Sequence, residues 1–287
     1  MATKVKSGDR EGAAAPELIE PESDGSSTLR KTLSILDLFT PEQSIWSTSD
    51  IISALGVSRS TGYRYIKSLN SVGLLGAVGN GYYVLGSRII ELDFQIRSTD
   101  PLILASQGVL DELADATGQS AILCMLFQSS VLCIDERRAQ LSPKSLFSRG
   151  QRRPLFRGAL SRVILAHLPN HRLRSIYTRR KVDIEASDLG ASWDEFREMQ
   201  AAIRTAGCVQ SVGEFNPEIV GIAAPVFNAE DAIIGSIGCA FSKHELAHVD
   251  VERITLLTKR AGREISQRMA SSSGDHAGLV LQPRAVG

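Results

Sequence analysis

The sequence predicts an α+β protein of two folded units, and three observations carry that prediction. Its 287 residues exceed what one hydrophobic core usually organises and suit two units of ordinary size. Between Leu29 and Leu85, three helical periodicities are followed by a single hairpin signal, the order of a small helical unit closed by a β-ribbon. From Pro101 onward, apolar runs joined by short turns alternate with helical stretches, which predicts a mainly antiparallel sheet with helices on one face.

Local chemistry sets each element. Residues 1–27 carry three basic and six acidic side chains among Ala, Gly, Pro and Ser, too little apolar content to offset ordering entropy, so a disordered tail is expected. Leu29, Leu33 and Leu36, with Ile35, Leu38 and Phe39, fall at helical spacing and predict a first helix that Pro41 ends. Ser47-Thr-Ser-Asp50 is a capping-box-like start for a second helix through Ile51, Ile52 and Leu55, closed by Gly56. Ser58 is the expected N-cap of a third helix reaching about Asn70, with Ile66 and Leu69 inward and Gly73 terminating it. Gly79-Asn80-Gly81 before Tyr82-Tyr83-Val84-Leu85 signals a hairpin. The first unit therefore spans 28–86, and Ile89, Leu92 and Ile96 place a linker helix over 87–100.

The second unit is expected over 101–270. It reads as a helix over 102–116, strands Ser120 to Phe127 and Val131 to Ile134, a basic loop, and a helix over 158–168 stopped by Pro169. A helix from Trp193 to Ala206 capped by Gly207 follows, then strands near 208–213, 219–227 and 232–241. Ile254, Leu257, Ala261, Ile265 and Met269 form one stripe of a final helix, and residues 271–287 read as a second disordered tail.

Lys plus Arg and Asp plus Glu number 32 each, so any affinity for nucleic acid depends on where charge sits rather than on its total. The four cysteines, Cys124, Cys133, Cys208 and Cys239, show no CxxC spacing, and three of them lie in apolar runs, the expectation for reduced thiols in a cytoplasmic protein. No apolar leader core and no run of about 18 to 20 uncharged apolar residues is present, so neither secretion nor a membrane partner is expected.

The second and third helices, joined by Gly56-Val57, have the tight turn that lets the third enter a major groove. Ser58 to Asn70 holds three basic residues and no acidic one. Ser58, Arg59, Ser60, Thr61, Tyr63, Arg64 and Lys67 are therefore the candidate contacts to double-stranded operator DNA: Arg and Ser/Thr read base edges, and all these groups hold phosphates. The alternative is a solvated basic face on an ordinary three-helix unit. A hairpin placed directly after the third helix, as a wing, favours DNA.

These segments resemble the IclR family of bacterial regulators from about Leu29 to Met269. The likeness rests on Leu29-Arg-Lys-Thr-Leu-Ser-Ile-Leu36, Ser58-Arg-Ser-Thr-Gly-Tyr-Arg64 and Gly81-Tyr-Tyr-Val-Leu-Gly-Ser-Arg88. Farther on it rests on Gly150-Gln-Arg-Arg-Pro-Leu155, Gly158-Ala-Leu160, Ala223-Ala-Pro-Val226 and Arg263-Glu-Ile-Ser266. It implies a winged helix-turn-helix joined by the linker helix to a GAF-like α/β effector-binding domain. Gly62 departs from the family's branched apolar residue, at roughly 0.8 to 1 kcal/mol of helix propensity, and Tyr65 is the residue expected to refill that space. Phe156-Arg157 replaces the family's His-Ala.

The resemblance also implies an effector pocket. Backbone at Gly158 and Ala159 would line it, with Glu214 as the nearest acidic group, and with Gly221 at the family's Cys position and Gly238 and Ala240 at its Ser positions. Lost polar groups imply a roomier, less polar site for an aromatic or otherwise bulky compound. A slip of one residue in this alignment would exchange the strand faces. Residues 137–181 hold thirteen Lys/Arg and no Asp or Glu. That run suits an anchor for an effector carboxylate, with Arg149 or Arg157 as candidates, or a second nucleic-acid or polymerase contact. It equally suits a surface compensated by residues such as Asp183, Glu185 and Asp188.

His244-Glu-Leu-Ala-His248 matches HExxH, so a zinc metallopeptidase is the remote alternative. It lies between a strand and the last helix, however, and Asp250 occupies a place that zincins usually keep apolar. No catalytic residue, metal or cofactor is expected. The expectation is a ligand-responsive transcriptional regulator, a repressor of a catabolic operon that senses a small organic acid, aromatic acids included. An activator of the same architecture is the alternative. The resemblance implies a homo-oligomer, a dimer or a dimer of dimers, on a palindromic operator.

Overall fold

The computed structural model describes residues 26–139 and 147–272, and both expected tails lie almost wholly outside that range. The chain divides after Ile96 into two compact units.

The first unit opens with helix α1 (Ser26–Leu33) and a 3-10 turn over Ser34–Leu38. One continuous helix was the expectation. The Ser34 hydroxyl instead bonds back to the Lys31 carbonyl, a local competition that tightens the turn. Leu29 and Leu33 stay exposed, and Ile35 is the buried member of that stripe. A short strand that the sequence does not announce, β1 (Trp46–Ser47), leads into α2 (Thr48–Leu55) and α3 (Arg59–Ser71). Ser47 and Ser58 are the N-caps, accepting from the amides of Asp50 and Thr61, and Gly56 is left-handed at the end of α2. Strands β2 (Leu75–Gly79) and β3 (Tyr82–Leu85) form the hairpin, and β1 pairs with β3. Ile35, Ile51, Tyr65, Ile66, Leu69 and Leu75 form the core. Each fully buried aliphatic side chain there contributes about 1.5 to 3 kcal/mol.

Gly62 is a packing requirement. A Cβ there would sit 2.3 Å from Ile52 Cγ1 and 3.3 Å from Ile52 Cβ, so Ile52 of α2, rather than Tyr65, occupies the vacated space. Gly62→Val is therefore expected to lower the stability of this unit by about 1 to 3 kcal/mol through overpacking, outweighing its small gain in helix propensity. Thermal unfolding of the full chain checks it, and an unchanged first transition would refute the close crossing.

Helix α4 (Arg88–Thr99) runs across the division between the units, close to the expected 87–100. Where one helix was expected over 102–116, α5 (Pro101–Ser106) and α6 (Val109–Thr117) are separated at Gln107 and Gly108, the latter at φ +78°. Asp100 caps α5 through the amides of Leu102 and Ile103, both 3.0 Å away, so Pro101 is a first-turn proline.

Strands β4 (Ser120–Phe127) and β5 (Ser130–Arg137) form a hairpin, and β6 (Arg152–Pro154), within the expected basic loop, pairs with β5. Helices α7 (Ala159–Ala166), α8 (Asn170–Arg179), α9 (Lys181–Glu185) and α10 (Trp193–Ala206) follow. Strands β7 (Val209–Val212), β8 (Ile219–Phe227) and β9 (Ile233–Ser242) and helix α11 (Val251–Ser272) complete the unit. The sheet order is β6-β5-β4-β9-β8-β7, and the registered pairs are antiparallel.

Helices cover both faces of this sheet, a correction to the expectation of one. Leu102, Leu110, Ile254, Ile265 and Met269 of α5, α6 and α11 pack on Leu123, Ile237 and Phe241. Val163, Ile164 and Phe196 of α7 and α10 pack on Ile122, Cys124, Ala223 and Ala240. Burial on both sides is why β4, β8 and β9 read as almost continuous apolar runs.

Candidate functional site

The first site is the outer face of α3. Gly62, Tyr65, Ile66 and Leu69 point into the core, which leaves Arg59, Ser60, Tyr63, Arg64 and Lys67 exposed on the opposite side. Tyr63 is 58% exposed, a phenol held in water by its helix position. The hydroxyls of Ser58, Ser60 and Thr61 are already linked: Ser58 donates to Thr61 at 2.9 Å and accepts from the Thr61 amide at 3.3 Å. Ser58 and Thr61 thus hold the end of the helix, while Arg59, Tyr63, Arg64 and Lys67 are the groups presented outward. Arg64 also lies 5.8 Å from the ring of Tyr65. The hairpin tip, Gly79 to Gly81, is tied to the start of α2, where Thr48 donates to the Gly81 carbonyl through its amide and its hydroxyl, both at 2.9 Å. No charged residue lies between Leu74 and Leu85, so the hairpin offers no cation, and among the described residues of this unit the cations outside α3 are Arg30, Lys31 and Arg88.

The second site is a cavity with about 550 Å³ of empty space, part of it open to solvent, between the start of α7 and the sheet. Ile122, Ile219, Gly221 and Ala240 are its sheet side, Gly158 to Ser161 its helix side, Phe147 and Arg153 also line it, and Glu214 and half-exposed Phe215 stand at its more open edge. The helix side is pinned. The Gly158 amide donates to Glu214 at 2.9 Å, the Ala159 amide donates to the Ser211 hydroxyl at 2.9 Å, and Glu214 also pairs with Arg162.

Of the three positions at which polar side chains are missing, Ala240 opens on the cavity. A Cβ at Gly221 would lie 3.2 Å from the Ser211 hydroxyl and 3.4 Å from Ala159 Cβ. Gly238 lies outside the lining, and a Cβ there would meet the Ile222 carbonyl at 2.4 Å. The space at Gly238 is thus already taken by close approach of β8 to β9, whereas a side chain at Gly221 would fit only tightly against Ser211 and Ala159.

Arg157 reaches the cavity edge but donates to the Ala186 carbonyl at 3.0 Å. Arg149 donates to the Ile134 carbonyl at 2.7 Å and lies outside the lining. The cation that faces the cavity is Arg153, absent from the sequence-based candidates. Its central carbon is 4.3 Å from the ring centre of Phe147 and 3.6 Å from that of Phe215. Burial draws its pKa down to about 10, so it remains charged at neutral pH. Alternation along β6, opposite Val131, was the signal that could have picked Arg153 over Arg152. Part of the basic run is neutralised, by Asp111 and Asp135 at Arg137, Asp183 at Arg180 and Glu185 at Lys181.

The HExxH segment is no helical metal site. Lys243–Glu245 is a 3-10 turn whose Glu245 carboxylate caps the Ser242 amide, and His244 is 85% exposed beside Glu218. No group of three or more His, Cys, Asp or Glu able to hold a metal occurs among the described residues. His167 and His171 also stand four residues apart, the spacing of paired helical metal ligands, but Pro169 separates α7 from α8 and they share no helix. No helix among the described residues is long and apolar enough to cross a membrane.

Comparison with known proteins agrees with this architecture. The family profile for the IclR helix-turn-helix domain matches residues 28–78, and that for the C-terminal domain of bacterial IclR transcriptional regulators matches residues 95–267. The HTH-type transcriptional regulator KipR of Bacillus subtilis is 22% identical over 84% of this chain and 96% of its own length. XynR of Escherichia coli is 23% identical with the same coverage. Among solved structures, an IclR homolog from Microbacterium hydrocarbonoxydans in complex with 4-hydroxybenzoate aligns with TM-score 0.70 at 19% identity, covering 85% of this chain and 99% of that one. Thermotoga maritima IclR aligns with TM-score 0.66 at 20% identity and the same coverage.

Proposed function

The chain belongs to the IclR family of bacterial transcriptional regulators, and from that membership we propose that it is a repressor whose operator affinity is set by a small organic acid. The family is one of regulators rather than enzymes, with a DNA-binding helix-turn-helix domain and an effector domain. The observation that carries the reading is the division of α3 into a packed face and a face presenting Arg59, Tyr63, Arg64 and Lys67. One such helix reads a half-site, so a homo-oligomer on a palindromic operator doubles the contact. Repression follows where that operator overlaps a promoter.

The pocket at Gly158 and Ala159 is the effector site in this reading. Its sheet side is apolar, and Ala240 leaves room where a hydroxyl would have stood, which favours an acid with an apolar, aromatic-sized body. The 4-hydroxybenzoate carried by one structural relative is a ligand of that size. The ligand controls DNA binding to the extent that it distinguishes the competent arrangement from the incompetent one, and α4, which joins the units in sequence, is the element assigned to that coupling.

Selection of genomic fragments on the immobilised protein, followed by footprinting, tests the reading. A protected sequence with two-fold symmetry upstream of catabolic genes is expected, released by an acid that raises the protein's unfolding temperature. Retention of fragments without sequence preference would overturn the DNA reading. Stabilisation by small oxo-acids alone would overturn the pocket reading.

A further inference from the structure

Resting on the reading of this cavity as the effector site, we propose that Arg153 anchors the ligand's anionic group and that the ligand class is a monocyclic aromatic carboxylate. The cavity's other charged side chains and its Gly158 and Ala159 amides are already committed. The Gly158 and Ala159 amides at the start of α7 bond to Glu214 and Ser211, and Glu214 is neutralised by Arg162. Arg157 is turned to the Ala186 carbonyl. An incoming anion thus finds no open amide cradle at Gly158 and Ala159.

Arg153 differs from all of these. Among the described residues its side chain has no hydrogen bond and no ion pair, and its environment contains two ring faces and the thiols of Cys124 and Cys133. The 140–146 segment outside the description contains no Asp or Glu. Removing a charge from water without a counterion is costly, and the rings of Phe147 and Phe215 offset part of that cost. Aromatic faces stabilise a guanidinium but accept none of its five N–H donors, whose fork matches a carboxylate in two parallel bonds. The carboxylate would complete the set.

The rest of the cavity fits the remainder of such a molecule. Ile122, Ile219 and Ala240 offer an apolar surface to a ring, and half-exposed Phe215 (48%) stands where an aromatic body would pass. A carboxylate at Arg153 with its ring against the sheet satisfies the cation and buries apolar area together.

The test uses the full-length protein and matched pairs of probes: benzoate and benzamide, 4-hydroxybenzoate and 4-hydroxybenzamide, phenylacetate and phenylacetamide. Thermal shift and calorimetry are read for wild type, Arg153→Gln, Arg153→Lys and Arg157→Gln. At least one acid is expected to bind wild type, its amide at least about tenfold more weakly. Arg153→Gln should lose that acid on the order of 10- to 100-fold, the value of charged hydrogen bonds. Arg153→Lys, which keeps the charge without the fork, should fall between, and Arg157→Gln should match wild type. Equal binding of acid and amide, or full acid affinity in Arg153→Gln, would overturn the proposal. No response to any acid up to millimolar concentration would also overturn it, and would leave the regulator reading to be decided by operator binding alone.

Discussion

Arg64→Ala is expected to weaken operator binding by on the order of 10- to 100-fold while leaving the thermal unfolding of the N-terminal unit unchanged. The side chain is exposed on α3, so its loss removes no core packing. Its effect on DNA should be large because the hairpin carries no cation, and Arg59, Arg64 and Lys67 supply the positive charge of α3. A guanidinium on this face makes either a forked contact to a guanine edge or a contact to phosphate, and the two are separable. If Arg64 reads a base, the variant relaxes selectivity at one operator position; if it holds a phosphate, binding falls uniformly and the salt slope drops by about one. Fluorescence anisotropy across a salt series checks both. Wild-type affinity in Arg64→Ala would remove α3 from the interface.

Glu214→Ala is expected to destabilise the C-terminal unit by about 2 to 3 kcal/mol, somewhat below the loss for breaking a fully buried pair. Glu214 and Arg162 are 27% and 18% exposed, so little solvent screening softens the loss. Two groups would be orphaned at once. The Gly158 amide loses its acceptor, and Arg162, whose Nε already lacks a partner, becomes an uncompensated cation. Because Glu214 pins the β7–β8 turn to α7, its loss should also loosen the pocket rim and weaken ligand binding. Urea unfolding checks the stability, and a double-mutant cycle with Arg162→Leu checks the mechanism. The double variant should be more stable than Glu214→Ala, since no unpaired charge remains. Additive losses would show that the pair does not act as one.

Elements whose ends are set by their own residues were legible in the sequence. Ser58 capping α3, Gly56 closing α2 and Gly207 ending a helix over Trp193–Ala206 are local matters of side-chain capping and left-handed glycine, and the structure has each. Strands buried on both faces were visible as apolar runs, but that pattern does not say which helices cover which face. The two-faced sheet therefore emerged only from the fold. Helices α8 and α9 were missed because their sequence is dominated by charge, with Leu173 and Ile184 as the fully buried anchors. The break at Gln107 and Gly108 and the strand β1 depend on tertiary pairing rather than propensity.

The pocket was legible only in outline. Alignment with the family pointed to Gly158, Ala159, Glu214 and Ala240, which the structure brings together around one cavity. It could not show that Gly238 serves close backbone approach or that Gly221 faces Ser211 and Ala159, because that depends on what a missing side chain would have met. Nor could it rank the five arginines between Arg149 and Arg162: their partners lie on β5, on the β7–β8 turn and after α9, distant in sequence from all of them.

The most direct test of the account is the affinity of the full-length protein for its selected operator, measured by anisotropy with and without an acid already shown by calorimetry to bind the protein. The account predicts that saturating acid lowers operator affinity by at least about fivefold, within the usual range of coupling between two sites. An acid that fills its site and leaves operator affinity unchanged would contradict the claim that this chain couples ligand to DNA.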